Sequence, residues 1–160
     1  MSTGFTLRPA TAADAEAVFR VTRDSVAGLA TTHYTPAQIA GWMGDRTPAT
    51  YLEGCESGRI HVAEQGGRVV GFVDAVPGEV TRLFLLPEVA RAGLGRALME
   101  VGLRKARAGG RETLRVEATL NAVPFYAKFG FLPVGKGEFG GRSGDWPPIE
   151  VTIMERSANG

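Results

Sequence analysis

Apolar and polar positions along the chain change period several times, and each change marks a predicted element. FTLRP at 5–9 is a short strand candidate. Thr11 precedes Asp14 at the spacing of a capping box, and a loose apolar stripe of Val18, Val21 and Leu29 predicts a helix from Ala12 to about Leu29. In TPAQIAGWM, Thr35 is placed to cap, Pro36 takes the first helical position and Gln38 completes a second box, so a short helix with Ile39 and Trp42 follows. From Arg59 the period drops: IHVAEQGGRVVGFVDAV reads as two strands joined by Gly66-Gly67, a hairpin signal. After Pro77-Gly78, EVTRLFLL is a third strand of the meander and stops at Pro87. Its apolar end predicts burial on both faces, as for a central strand.

Residues 94–108 carry the clearest helical period, with Leu94, Leu98 and Val101 on one face and Arg96, Glu100 and Arg104 on the other at intervals suited to ion pairs. Beyond Gly109-Gly110, Leu114, Val116 and Ala118 alternate as in a strand. NAVPFYAKFG then holds a short helix, with Pro124 in its first turn and Gly130 as its stop. FLPV is a strand candidate, Gly135 to Asp145 a glycine-rich loop, and IEVTIM a last alternating strand. Strands 79–86 and 113–118 are joined through a helix and are expected to be parallel neighbours, whereas the hairpins are antiparallel. The prediction is an α/β (mixed α+β) fold, with a mixed, mostly antiparallel sheet of about seven strands and helices on both faces.

At 160 residues and 44% hydrophobic content, the chain suits one domain spanning 1–160, and no repeat, linker or low-complexity run interrupts it. Lys and Arg number 18 against 17 Asp and Glu, so charge gives no general reason to expect nucleic acid or a membrane as partner. Cys55 is the only cysteine, which excludes an internal disulfide, and beside only His33 and His61 it gives no reason to expect a metal site. The first residues lack the basic flank and apolar run of a signal peptide, and no stretch of about 18 apolar residues occurs, so a soluble cytoplasmic protein is expected.

The candidate chemistry begins where TRLFLLPEV runs into ARAGLGRALM. Two glycines at a helix start strip side chains from a row of backbone N–H groups, which suits a phosphate, and Arg91 and Arg96 could add charge. A tight strand-to-helix turn would use the same glycines, and GxG alone names no ligand. Leu98 stands where a dinucleotide fingerprint needs its third glycine, and no GKS or GKT follows to make a nucleotide P-loop.

LFLLPEVARAGLGRALM, followed some twenty residues later by a strand and NAVPFYAKFGF, resembles the GNAT superfamily of N-acetyltransferases, whose acyl-coenzyme A turn has the pattern Q/R-x-x-G-x-G/A. The strand–helix order resembles that fold across nearly the whole chain. The resemblance implies that the turn of Arg91, Ala92, Gly93, Leu94, Gly95 and Arg96 cradles the coenzyme A pyrophosphate. It implies that Asn121, with Phe125 near it, meets the pantetheine arm and that Tyr126 is the general acid for the departing thiolate. It also implies that the main chain of Leu83, Phe84 and Leu85 holds the acyl carbonyl between splayed strands. One departure stands out: Ala90, not Gln or Arg, occupies the first motif position, and Arg91 lies one place late. By their surroundings alone, Tyr126 reads as a core aromatic beside Phe125 and Phe129, and Asn121 as a helix cap.

Several family members carry a glutamate base at the start of the third meander strand, where Glu79 stands; an ordinary exposed glutamate after a Pro-Gly turn fits the position equally. Asp74 and Glu117 are weaker alternatives, because alternation does not decide which face they occupy. His61 reads as a packed histidine, His33 as either a pocket or a loop residue, and Cys55 as an inert thiol. The resemblance draws acceptor specificity from Arg23, Asp24, His33, Tyr34, Trp42, Glu138, Arg142, Asp145 and Trp146. The expected function is an acetyl-coenzyme A-dependent N-acetyltransferase acting on a primary amine of a small molecule or peptide by direct attack, without a metal. A non-catalytic acyl-coenzyme A sensor on the same scaffold is the alternative. Many relatives pair, so the resemblance also admits a homodimer.

Overall fold

The computed structural model describes residues 4–29, 31–90, 93–139 and 147–159. Seven strands form one sheet: β1 (Phe5–Pro9), β2 (Ile60–Gln65), β3 (Arg68–Val76), β4 (Glu79–Leu85), β5 (Thr113–Thr119), β6 (Leu132–Phe139) and β7 (Ile149–Ser157). Their order across the sheet is β1-β2-β3-β4-β5-β7-β6, and only β4 and β5 are parallel. The helices are α1 (Ala15–Leu29), α2 (Pro36–Met43), α3 (Leu52–Glu56), α4 (Leu94–Arg107) and α5 (Val123–Ala127). Alternation along β3 separates the two layers. Phe72 packs its ring against Tyr51 and Phe84 on one face. On the other, Gly102 of α4 comes so near Val73 and Val80 that a Cβ there would lie 3.0 Å from Val73 Cγ2.

The local start signals form as expected. Thr35 Oγ1 accepts from the Gln38 N–H at 3.1 Å and Gln38 Oε1 from the Thr35 N–H at 2.9 Å, opening α2. The Thr11 N–H donates to Asp14 at 2.8 Å, in a 3-10 turn (Ala12–Asp14) leading into α1. Gly66 and Gly67 take φ of 61° and 77° in the β2–β3 hairpin, as a two-residue turn that follows the strand twist requires.

Four expectations are corrected. The 3-10 turn Pro48–Tyr51 and α3 were not predicted, because so short a segment shows no full helical period; it buries Tyr51 and Cys55. β6 does not stop at Val134: it continues through Gly135 and Gly137 to Phe139, so the first part of the predicted loop is strand. Pairing with β7 outweighs the poor strand preference of glycine there. Residues 140–146, the rest of that loop, lie outside the described residues. Arg96, Glu100 and Arg104 form no ion pairs with one another among the described residues; Arg96 instead lies over the Phe129 ring at 5.7 Å.

The fourth correction concerns β4, which is not buried on both faces: of its residues only Val80 is buried, and the others are half-buried. The cause is the neighbour. β5 pairs with β4 only at Glu79–Arg115 and Val80–Val116 and then departs. At the far edge, β6 leaves Leu132 and Val134 exposed, with Pro133 and Lys136 among them as residues that discourage further strand pairing.

Beneath the meander, Asp74 is fully buried and receives two bonds from Arg59, Nε at 3.1 Å and Nη2 at 2.9 Å, while Arg82 Nη1 lies 3.6 Å away. Removing the carboxylate leaves these guanidinium groups without their shared counter-charge. Asp74→Ala is therefore expected to cost about 3 kcal/mol, read as a lower urea midpoint. A loss under about 1 kcal/mol would show that solvent replaces the pair.

Candidate active site where two strands part

The parting of β4 and β5 opens a cleft with two adjoining lobes, of about 320 Å³ and about 400 Å³. Leu83, Phe84, Trp42, Thr119, Ala122 and Tyr126 line both. The larger lobe adds Leu85, Ala90, Asn121 and Phe125. The smaller adds Arg46, Glu79, Arg82, Glu117 and Phe139. The main chain of Leu83, Phe84 and Leu85 pairs with Val73, Phe72 and Gly71 on one side. On its other side no β5 ladder continues, so the polar groups there face the cleft.

The two glycines of the turn have different reasons. Gly93 sits at φ 81°, ψ 0°, a left-handed conformation that disfavours any side chain, and no described atom lies within 4 Å of where its Cβ would stand. Gly95 is needed for contact: a Cβ there would lie 3.0 Å from Phe125 Cε1 and 3.6 Å from Leu85 Cδ1. Among the described residues the first N–H of the helix with an acceptor four residues back is that of Ala97, on the Gly93 carbonyl at 3.3 Å. The Leu94, Gly95 and Arg96 amides have no acceptor among the described residues and lie in the first turn, at the positive end of the α4 dipole. Phe125 and Leu85, which crowd Gly95, also line the larger lobe, so this amide cluster borders it. Arg91 and Ala92 lie outside the described residues.

Tyr126 stands at the junction of the lobes, 6% exposed. Pro124 in the first turn of α5 starts the helix that carries it, and its ring meets Phe125 and Phe131 edge-on at 5.2 Å and 6.2 Å. Its hydroxyl has no hydrogen-bond partner among the described residues, and burial alone acts on it. Burial pushes its pKa above that of a free phenol, so it keeps its proton across the neutral range. Asn121 does not cap: its Oδ1 is buried without a partner among the described residues. An orphaned acceptor in a cleft wall costs stability unless a ligand donor meets it.

Glu79 is half-buried in the smaller lobe. Burial raises its pKa above the usual carboxylate range, the negative charge of Glu117 adds to this, and Arg115 opposes it. A β-bulge determines its company. Asp74 pairs with Arg82 and Ala75 with Val80, so Thr81 has no counterpart on β3. Val80 faces α4 across Gly102, whereas Arg82 lies over the Tyr51 ring at 5.5 Å on the opposite face. Strict alternation would separate Glu79 from Arg82; the extra residue puts both on the cleft face.

The other candidates are distributed as follows. Asp74 is enclosed in its arginine pairs. Arg23 and Asp24 pair with each other at 3.0 Å and line neither lobe, and Glu138 is exposed on β6. Arg142, Asp145 and Trp146 lie outside the described residues. The Tyr34 hydroxyl donates to the Glu150 carbonyl at 2.6 Å and accepts from the Leu120 N–H at 2.9 Å, bracing the cleft from behind. His33 borders the larger lobe, while His61 is a packed residue whose pKa is lowered by burial and by Lys105 and Arg104. The Cys55 thiol is buried and pushed up to about 11, which leaves it protonated and inert. Arg46, Arg82, Thr119 and Phe139 line the cleft without having been singled out in the sequence; only the bulge and the docking of α2 bring the arginines there. Among the described residues no helix is long and apolar enough to cross a membrane, and no group of three metal-ligating side chains occurs.

Against known proteins, the family model described as acetyltransferase (GNAT) domain matches residues 30–141. The N-acetyltransferase YafP of Escherichia coli (strain K12) is 28% identical over 110 residues, 69% of each chain. The crystal structure of a GCN5-related N-acetyltransferase from Rhodopseudomonas palustris, also titled aminotransferase class-II, is 27% identical, with a TM-score of 0.86 over 98% of this chain and 97% of that one. The PaiA N-acetyltransferase of Thermoplasma acidophilum, solved with coenzyme A, shares the fold at 22% identity, with a TM-score of 0.72 over 98% and 99% of the two chains.

Proposed function

The chain belongs to the GNAT acetyltransferase family, and on that premise we propose that it moves an acetyl group from acetyl-coenzyme A to a primary amine by direct attack in a ternary complex. The reading takes residues 1–160 as one such domain. The observation that carries it is the junction: Tyr126 stands between a lobe bordered by the first-turn amides of α4 and a lobe holding a raised-pKa carboxylate.

The larger lobe fits the coenzyme. The Leu94, Gly95 and Arg96 amides and the α4 dipole suit a pyrophosphate, with Arg96 near it and Arg91 as added charge. Asn121 Oδ1, which lacks a partner among the described residues, can accept a pantetheine amide N–H, and Phe125 gives the arm an apolar wall. The open edge of β4 at Leu83, Phe84 and Leu85 offers main-chain groups to the arm and to the carbonyl oxygen as it becomes an oxyanion. The PaiA relative, solved with coenzyme A, supports the choice of ligand. Ala90 at the usual Gln/Arg position is tolerable where backbone amides do most of the anion binding.

In the smaller lobe Glu79 takes a proton from the alkylammonium, directly or through water, and passes it to solvent. The neutral amine attacks the thioester carbonyl, the nitrogen loses its second proton, and the C–S bond breaks. Tyr126 gives its proton to the departing sulfur and is reprotonated from solvent. The net products are the amide, coenzyme A and one proton. A carboxylate with a raised pKa is the stronger base, and a phenol protonated at every neutral pH is always ready as acid.

The test is thiol release from acetyl-coenzyme A by the purified protein, screened over primary amines. Release that depends on the amine supports the reading; coenzyme binding without transfer to any amine leaves a sensor instead. Glu79→Gln is expected to lower kcat/KM about 10- to 10²-fold near neutrality and move the pH–rate profile to higher pH. The acid limb of the wild type should lie above the ordinary carboxylate range. Stability should move the opposite way. Because the folded-state pKa of Glu79 is raised, its favourable contribution is present below the unfolded value and lost as pH rises through the folded one. The Gln variant should therefore melt higher than wild type at pH 7 and show no such gain in acid. A variant with unchanged profile and melting would return Glu79 to an ordinary surface residue.

A further inference from the structure

The smaller lobe segregates its charges. At one end Arg46 and Arg82 meet on a single aromatic: Arg46 Nη1 lies 3.4 Å from the Tyr51 hydroxyl, and the Arg82 guanidinium lies over the Tyr51 ring at 5.5 Å. Tyr51 is 1% exposed, so it is a fixed support for both. Arg46 has no carboxylate partner among the described residues, and Phe139 lies under its guanidinium at 5.8 Å. Among the described residues Arg82 reaches only Asp74, at 3.6 Å, and Asp74 is already held at 2.9 Å and 3.1 Å by Arg59. Arg59 and Arg82 thus share two carboxylates, Asp74 and Glu53, and Arg46 adds a third guanidinium with neither. At the other end Glu79 and Glu117 share one arginine, Arg115, which Glu117 meets at 3.4 Å and Glu79 faces across the strand pair. Among the described residues each end is one charge short of balance, and the signs are opposite.

A ligand that completes both ends is a zwitterion. We infer that the acceptor is a free amino acid, its carboxylate held by Arg46 and Arg82 and its ammonium turned toward Glu79 and Glu117. This rests on the proposed acetyl transfer and names its substrate class. The orientation also places the nucleophilic nitrogen beside the base, and planar guanidinium groups suit the two oxygens of a carboxylate. A lobe of about 320 Å³ walled by Trp42, Phe84 and Phe139 is of a size for one residue and its side chain.

The experiment supplies the full chain with acetyl-coenzyme A and, in turn, each common free amino acid, its carboxamide and its decarboxylated amine, following thiol release. At least one amino acid is expected to exceed both of its analogues in kcat/KM by about 10²-fold or more. Arg46→Gln is expected to raise KM for that amino acid about tenfold, closing much of the gap to the decarboxylated amine, with Arg46→Lys keeping part of the native affinity. The affinity for acetyl-coenzyme A, measured by calorimetry on the same variant, should not change. Equal or better turnover of the carboxamides or decarboxylated amines would overturn the inference and leave acetyl transfer standing. Transfer to none of the amino acids, with coenzyme bound, would overturn it also. Failure of the wild type to bind acetyl-coenzyme A would remove the transferase reading itself, and this inference with it.

Discussion

Tyr126→Phe is expected to lower kcat about 10²- to 10³-fold near neutral pH while leaving the dissociation constant for acetyl-coenzyme A within about twofold. The substitution keeps the ring that packs against Phe125 and Phe131, so α5 keeps its seat. It removes a hydroxyl with no hydrogen-bond partner among the described residues and therefore orphans no described donor or acceptor. The only function lost is the proton offered at the junction of the lobes. Rapid-quench turnover paired with calorimetric titration separates the two quantities. An unchanged rate would make Tyr126 a packing residue, and equal losses in rate and binding would place its role in coenzyme affinity rather than acid catalysis.

The second large effect is expected at the turn. Gly93→Glu should weaken acetyl-coenzyme A binding about 10²-fold or more while the protein stays folded. Two costs act together. A non-glycine residue at φ 81° is strained by about 1–2 kcal/mol, and a carboxylate is set where the coenzyme's anion would sit. The helix itself tolerates the change, because a negative charge at its N-terminus favours the dipole. Gly93→Ala carries the strain without the charge and should lose much less. Calorimetry on the three proteins decides the matter: equal binding by the Glu variant would mean that the first-turn amides of Leu94, Gly95 and Arg96 are not the anion site. The neighbouring glycine has a different sensitivity. Gly95→Val would push against Phe125 and Leu85 and disturb the wall of the lobe rather than its charge.

The sequence and the structure agree wherever the signal and its effect lie within a few residues. The Thr35–Gln38 box, the Gly66–Gly67 hairpin, Pro124 at a helix start and the period of α4 each follow from capping, φ preference or the helical repeat. The parallel pairing of β4 with β5 is also readable, because a helix between two strands must return the chain in the same direction. Tyr126, Asn121 and the glycine turn are picked out by resemblance to the GNAT pattern; in the structure Tyr126 and Asn121 line the larger lobe, and Phe125 and Leu85 beside Gly95 line it too.

Much of what fails depends on a distant partner. The apolar end of β4 has the composition of a central strand, and only the departure of β5 after two paired residues turns it into a cleft wall. Arg23 and Asp24 look as available as Arg46, yet helix packing turns the first two to a pair on the surface and the third to the cleft. Asp74 and Glu117, equivalent in sequence, end in a buried ion pair and in the smaller lobe. The sequence alone, then, settled most helices and strands, though not α3 or the second half of β6, and marked the glycine turn before α4, because those follow from forces acting between near neighbours. Tertiary structure alone decided that β4 and β5 part, that Thr81 bulges and that Glu79 and Arg82 share a face, because strand register is set by residues far apart in the chain, and a slip of one residue reverses every side chain beyond it.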